Sequence, residues 1–420
     1  ALGNSVIILD EVQALPIKVL KLFNGAMNFL SAFCKTSVVL CSATQPLLDK
    51  IDDYQILRPK NIIPNENKYI SAFQRVKIVN CMRERGYSIE EAGDFIIEQV
   101  EHARSVLAIV NTKSCARKVY KYIQDNIKKE QYMIFHLSTN MCPAHRSEVL
   151  QEIRKLLKEK NCNKKIICIS TSLIEAGVDV SFERVVRSLT GLDSIIQAAG
   201  RCNRHFKEAY GIVSIINLRD EQINRLGYLK FAQDATRELL FNMEKLPERY
   251  PEGLLSKAAM DGYYARYFNP LQKDMAYPLK SYPENTIVDL LTSNPPGKKA
   301  FKTKYPHRKL PIMKQAFKEA GELFAVIEDE ATVDVCVEYN IEAKNWLDKL
   351  KAAVTLQEKR QALRQLQPYI VQIRENDWFK KERVRFTRVE TGIWVLPQGY
   401  YNENYGVDET VEVKMEALII

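Results

Sequence analysis

Asp10 and Glu11 directly follow the apolar run 6–9, and Gln13 stands two residues further on. Two carboxylates delivered by the end of a buried strand suit phosphoryl transfer. One can hold Mg²⁺, directly or through water, while the other orients the water that attacks a terminal phosphate. A strand that ends in two solvated acids has the same spelling, so the reading depends on what accompanies the pair.

Three further stretches accompany it. Ser42-Ala43-Thr44 follows the next apolar run, 38–41, about thirty residues after the acids. Hydroxyls at a strand end can relay hydrogen bonds from a phosphate site to a neighbouring element. The stretch STSLIEAGVD, residues 170–179, leaves another apolar run and bends through Gly177. Thr171 and Ser172 offer hydroxyls to a phosphate backbone, and Gly177 permits positive φ or close approach. Asp179 is placed to touch a ribose hydroxyl or an arginine. An ordinary helix cap would use the same hydroxyls. Last comes QAAGRCNR, residues 197–204, with Gln197, Gly200, Arg201 and Arg204. Guanidinium forks are permanently charged and match phosphate oxygens, as arginine fingers do; a solvated basic turn is the plainer alternative.

The elements that would position these residues alternate. Strands are expected at 6–9, 37–41, 106–110, 132–137, 166–170, 184–187 and 212–216. Helical periodicity appears at 17–33, 89–103, 115–127 and 144–158. Such alternation predicts α/β architecture with parallel strands covered on both faces, whose ligands gather at the strands' carboxyl ends. Beyond 218 the pattern turns helical, at 222–244 and 252–267, before a Pro- and Tyr-rich linker from 269 to 311. A smaller α+β unit follows, with helices near 341–351 and 357–367 and strands near 383–389 and 393–396.

Composition narrows the class. At 420 residues the chain should hold two or three domains, and 46% hydrophobic residues suffice for ordinary cores. No apolar run approaches a membrane span, which predicts no membrane partner. A formal net charge of +9 suits a polyanionic partner. Nine cysteines without a C-x-x-C pair give no zinc or redox signature and point to free thiols in the cytoplasm. Cys142 and Cys202 are expected to be buried small hydrophobes, and His136 and His145 to be structural.

In order and spelling, these stretches resemble motifs II, III, V and VI of superfamily 2 helicases. LDEVQALP (9–16), HLSTNMCPAHR (136–146), SLTGLDSIIQAA (188–199) and GRCNRH (200–205) narrow the resemblance to the CRISPR-associated helicase-nuclease of type I interference systems. The likeness is strong over residues 1 to about 220 and general beyond. It implies a RecA-like P-loop NTPase helicase core. Residues 1–65 would be the C-terminal part of a first RecA-like domain and 66–225 a complete second one. Residues 226–311 would be a helical segment and linker, and 312–420 an accessory domain.

The resemblance also assigns roles. Asp10 would hold Mg²⁺, Glu11 would activate water, and Gln13 would sense nucleotide. Ser42 and Thr44 would couple ATP hydrolysis to DNA movement. Asn111, Thr112, His136, Ser138, Thr139, Thr171 and Ser172 would hold single-stranded DNA. Gly177, Asp179, Gln197 and Gly200 would face nucleotide, with Arg201 and Arg204 as fingers. ATP and Mg²⁺ are the implied cofactors, and a Cascade-type surveillance complex is the implied partner.

Two departures limit this. G-x-x-x-x-G-K-[ST], the loop that cradles ATP phosphates, occurs nowhere in the chain. The five histidines, His102, His136, His145, His205 and His307, include no His-Asp pair for the family's nuclease metals. The chain is therefore expected to be a C-terminal portion lacking the nuclease domain, and inactive on its own. Two alternatives stand beside it: another superfamily 2 DNA or RNA helicase, and a non-catalytic half that binds nucleic acid or docks a partner. Two basic-aromatic stretches, 298–309 and 374–388, are further nucleic-acid candidates or simply solvated faces.

Overall fold

The computed structural model describes residues 2–42, 44, 47–57, 59–63, 75–128, 130–159, 163–175, 177–206, 208–223, 227–326, 331–390 and 392–410. Ala43 and Ala176, and the domain boundaries expected at 65 and 225, lie outside the described residues. The chain divides into two compact units. One comprises 1–74, 191–196 and 228–328, the other 75–190, 197–227 and 329–420.

In the second unit the expected strands become β4 (Ser105–Ile109), β5 (Tyr132–Leu137), β6 (Lys165–Ser170), β7 (Arg184–Ser188) and β8 (Gly211–Ile216), and β3 (Val76–Asn80), which was not among those expected, joins them. They form one six-stranded sheet in the order β3-β8-β7-β4-β6-β5, every neighbour parallel, as the alternation predicted. Side chains of successive strand residues point to opposite faces, so β4 serves two cores. Val106 and Ala108 pack with Ile96, Val100, Val119 and Ile123 of the helices Ile89–Glu101 and Lys113–Asn126. Leu107 and Ile109 pack with Ile153 of the helix Pro143–Lys158.

The carboxyl-terminal part of this unit is α+β, also as expected. β9 (Thr332–Cys336), β10 (Ile370–Arg374), β11 (Thr387–Glu390) and β12 (Ile393–Val395) form a mixed sheet in the order β10-β9-β12-β11. The helices Ile341–Ala352 and Leu356–Leu366 bury Leu347, Leu350 and Leu366 against it. A small hairpin follows, β13 (Tyr401–Asn402) with β14 (Gly406–Val407). The strand expected from 383 begins only at Thr387, because Arg383–Arg385 closes a 3-10 turn.

In the first unit β1 (Val6–Leu9) runs parallel to β2 (Ser37–Leu40), joined through the helix Leu20–Phe33. Val6 and Ile8 are 66% and 68% exposed, so one face of β1 is bare among the described residues, contrary to the expectation of cover on both faces. β1 pairs only with β2 there, and its outward-pointing side chains meet no second layer. Helices Leu229–Lys245 and Lys257–Phe268 answer the predicted helical stretch. The stretch read as linker contains two more helices, Ile287–Leu291 and Pro295–Lys304. Local capping explains the second: Asn294 accepts the Gly297 amide at 3.0 Å, and Pro295 pre-sets the first turn. No helix among the described residues is long and apolar enough to cross a membrane.

Candidate functional site

The acids at the end of β1 belong to a hydrogen-bonded chain. Glu11 sits in the left-handed region at φ 53°, turning the backbone out of the strand into the short 3-10 helix Val12–Ala14. The Val12 amide donates to the Cys41 carbonyl at 3.2 Å, which holds this turn against the end of β2. Asp10 is exposed and accepts the Glu11 amide at 3.0 Å. The Gln13 side-chain amide donates to the Glu11 carboxylate, and the Ser42 hydroxyl reaches the Gln13 carbonyl oxygen and the Thr44 carbonyl. The Thr44 amide returns a bond to Ser42 Oγ at 3.1 Å. Thr44, 2% exposed, ends the chain at 3.1 Å from the hydroxyl of Tyr264, on the helix Lys257–Phe268. Burial pushes the Tyr264 phenol up, so it stays protonated and free to donate.

The structure thus brings together Glu11, Gln13, Ser42 and Thr44. It adds Tyr264, which lies 220 residues from Thr44 and carries no motif. Among the described residues no group of three or more His, Cys, Asp or Glu side chains is gathered to hold a metal. A Mg²⁺ that also binds a nucleotide's phosphates needs only one or two protein carboxylates, and exposed Asp10 has that donor chemistry.

In the second unit the candidate residues lie where strands of the parallel sheet end. Asn111 follows β4, and Thr112 caps the helix Lys113–Asn126 by accepting the Cys115 amide at 3.2 Å. The Asn111 side-chain amide donates to Glu221 at 2.8 Å and to the Leu189 carbonyl at 2.9 Å, while its backbone amide donates to the same carboxylate. Arg187 donates to Asn111 Oδ1 at 2.8 Å and pairs with Glu175 at 2.8 Å. These three charges are 8% exposed or less. Buried charges persist when paired and hydrogen-bonded, and here they fix Asn111 to the loop that leaves β6.

His136 is the penultimate residue of β5 and is 2% exposed, with its Nε2 3.1 Å from Ser138 Oγ. Burial, reinforced by the Arg117 and His145 charges, lowers its pKa to about 3, so the ring is neutral. His136 and Ser138 are buried, whereas Thr139 is exposed. The first two set the loop and the third faces solvent. His145 is also buried, accepting or donating at 2.9 Å with the Tyr401 hydroxyl.

After β6, Thr171 is buried and Ser172 exposed. Gly177 has φ +70°, and a Cβ there would meet no atom within 4 Å, so its backbone conformation alone calls for glycine. Asp179 pairs with Arg204 at 3.2 Å, with side chains 70% and 39% exposed. Arg201 is buried instead, donating through Nε to the Ile174 carbonyl at 2.9 Å and through Nη2 to that of Glu175. The two arginines, three apart in sequence, therefore do different things: one holds a loop, the other carries a half-exposed charge. Gln197 lies in the last turn of the helix Leu192–Ala199, half-buried, with Gly200 just beyond it. Cys142 and Cys202 are fully buried, and burial pushes the Cys202 thiol up to about 12.

Comparison with known proteins bears on the family and the fold. A family profile described as "CRISPR-associated nuclease/helicase Cas3, C-terminal" matches residues 102–207. The CRISPR-associated nuclease/helicase Cas3 of Methanothermobacter thermautotrophicus is 29% identical over 154 residues, covering 36% of this chain and 17% of that protein. The matched stretch, residues 102–207, is similar to the C-terminal portion of CRISPR-associated nuclease/helicases. The crystal structure of T. fusca Cas3 superposes at a TM-score of 0.58 and 12% identity, over 96% of this chain and 53% of that one. A chain of a CRISPR RNA-guided surveillance complex, pre-nicking, gives 0.53 and 13% identity, over 94% and 54%. These likenesses fix the fold as RecA-like α/β. The chain spans about half the length of these solved chains and about a sixth of that curated relative.

Proposed function

We propose that this chain forms part of an ATP-driven translocase of single-stranded DNA acting in type I CRISPR interference. In that reading a nuclease domain cuts the strand, and a Cascade-type complex loads the motor. The observation that carries the reading is the chain of hydrogen bonds from Glu11 through Gln13, Ser42 and Thr44 to Tyr264. It ties the residue that would orient the attacking water to a helix some 250 residues away in sequence, here within one unit. A change at the phosphate end would be felt along it.

Asp10 would hold Mg²⁺, which when bound supplies charge neutralisation for the phosphates. Glu11 orients water, and Gln13 responds to nucleotide. Gly177, Gln197 and Gly200 shape the nucleotide-facing loops. Arg204 leaves Asp179 to stabilise charge on the transferring phosphoryl group, while Arg201 keeps the loop beginning at Thr171 in place. Asn111, Thr112, His136, Ser138, Thr139, Thr171 and Ser172 form the loops that meet DNA phosphates, the exposed Thr139 and Ser172 directly. The CRISPR setting of this reading is supported by the names of similarly folded solved chains, which include Cas3 and a chain of a surveillance complex.

The test is to supply the chain with an amino-terminal half carrying G-x-x-x-x-G-K-[ST] and measure ATP hydrolysis with single-stranded DNA and with RNA. Stimulation by DNA over RNA supports the proposal. RNA stimulation would indicate another superfamily 2 helicase. Nucleic-acid binding with no hydrolysis would indicate a non-catalytic half.

A further inference from the structure

The hairpin 400–408 touches the loop after β5 and the helix that begins at Thr112, both next to residues the proposed function assigns to DNA, although nothing in the sequence links them. On one side Asp408 forms an ion pair with Arg117, with side chains 6% and 16% exposed. Arg117 lies on the helix that Thr112 caps. On the other side the Val407 amide donates to the Asn140 carbonyl at 2.8 Å, and the Asn140 side chain donates back to the Val407 carbonyl at 3.2 Å. The Cys142 amide donates to the Tyr401 hydroxyl at 3.1 Å. Between these sides stands Tyr405. Its ring is edge-on to His136 at 6.4 Å, Lys121 lies 5.0 Å from its centroid, and its hydroxyl donates to Asp408 at 2.9 Å.

The approach is close enough to dictate sequence. Gly406 has φ +81°, and a Cβ there would lie 2.2 Å from the Asn140 carbonyl oxygen. Only glycine brings the two backbones this near.

We infer that the hairpin 400–408 is a positioning clasp that sets the spacing between the Asn111–Thr112 loop and the His136–Thr139 loop. A single strand laid across both loops presents phosphates at fixed intervals, so affinity depends on that spacing as well as on the hydroxyls. Asp408 and Gly406 are then positioning residues for nucleic-acid binding, though neither touches the strand. The inference rests on the proposed DNA role of the two loops.

Two variants separate the possibilities. Asp408→Asn keeps the side chain's shape but removes the charge that pairs with Arg117. Gly406→Ala forces the hairpin away from Asn140. Backbone hydrogen exchange is measured at 111–117 and 136–142, together with affinity for a fluorescent single-stranded oligonucleotide. The clasp predicts faster exchange near Thr112 in Asp408→Asn and near Ser138 in Gly406→Ala. It also predicts five- to twentyfold weaker DNA binding in both, with the β3–β8 sheet still protected. Unchanged exchange overturns the clasp. Faster exchange with unchanged affinity overturns its role in DNA binding. If the unaltered chain binds no single-stranded DNA, the translocase reading fails and this role with it, while the exchange data still decide whether the clasp orders the loops.

Discussion

Arg187 and Glu175 form an ion pair at 2.8 Å in the interior of the second unit, 1% and 6% exposed. The same guanidinium donates to Asn111, so one buried charge joins the end of β4 to the turn after β6. Removing one member of such a pair strands the other. Arg187→Met should destabilise the unit by roughly 3–5 kcal/mol, and adding Glu175→Gln should recover part of that loss. Urea unfolding of the two variants checks this; a single variant as stable as the parent would contradict it.

Thr44 and Tyr264 offer a second cycle. Thr44→Val leaves the buried Tyr264 hydroxyl without this partner, at a cost of about 1–3 kcal/mol. Tyr264→Phe in the same chain should return much of the stability. If the chain of hydrogen bonds also couples hydrolysis to movement, the double variant keeps its fold and still loses DNA-stimulated turnover.

His136 predicts a pH dependence. Its folded pKa, about 3, lies below the value near 6.5 of an exposed histidine because the ring is buried. The unfolded chain therefore binds more protons between these values. The stability contribution is fully present above about pH 6.5 and is lost as pH falls toward 3, by up to about 1.4 kcal/mol per unit. The difference in unfolding free energy between the parent and His136→Gln, followed from pH 7 to 4, should shrink on that slope. A constant difference would mean that the histidine is protonated or exposed.

Gly177 and Gly406 separate two reasons for glycine. At Gly177 a methyl group meets open space, so Gly177→Ala should cost only the backbone term, about 1 kcal/mol. Gly406→Ala adds a collision with the Asn140 carbonyl and should cost clearly more. Melting temperatures of the two variants rank them.

Much of the architecture was legible because parallel strands buried on both faces write near-continuous apolar runs, as β4, β6 and β8 do. The helix Pro295–Lys304 has the spelling of a linker because prolines mark breaks unless they stand in a first turn, where these do. At the candidate site, the acids and hydroxyls announced themselves through spacing. Arg187 left a fainter signal, a charge inside the apolar strand VVRS that asked for a buried partner. Glu221, Tyr264 and Asp408 left none. Asp408 meets Arg117 across 291 residues, and no local pattern encodes a contact of that range. The differing tasks of Arg201 and Arg204 were equally invisible, since their spacing is the same whichever carbonyls are near.

The most direct test of the central claim is ATP hydrolysis by the chain completed with a P-loop half, comparing the parent with Glu11→Gln in the presence of single-stranded DNA. Gln keeps the shape of Glu11 but cannot orient water as a carboxylate does. DNA-stimulated hydrolysis is expected in the parent, with a loss of roughly a hundredfold or more in the variant and unchanged DNA affinity. Equal rates in the two proteins, or a parent whose hydrolysis ignores DNA, would contradict it.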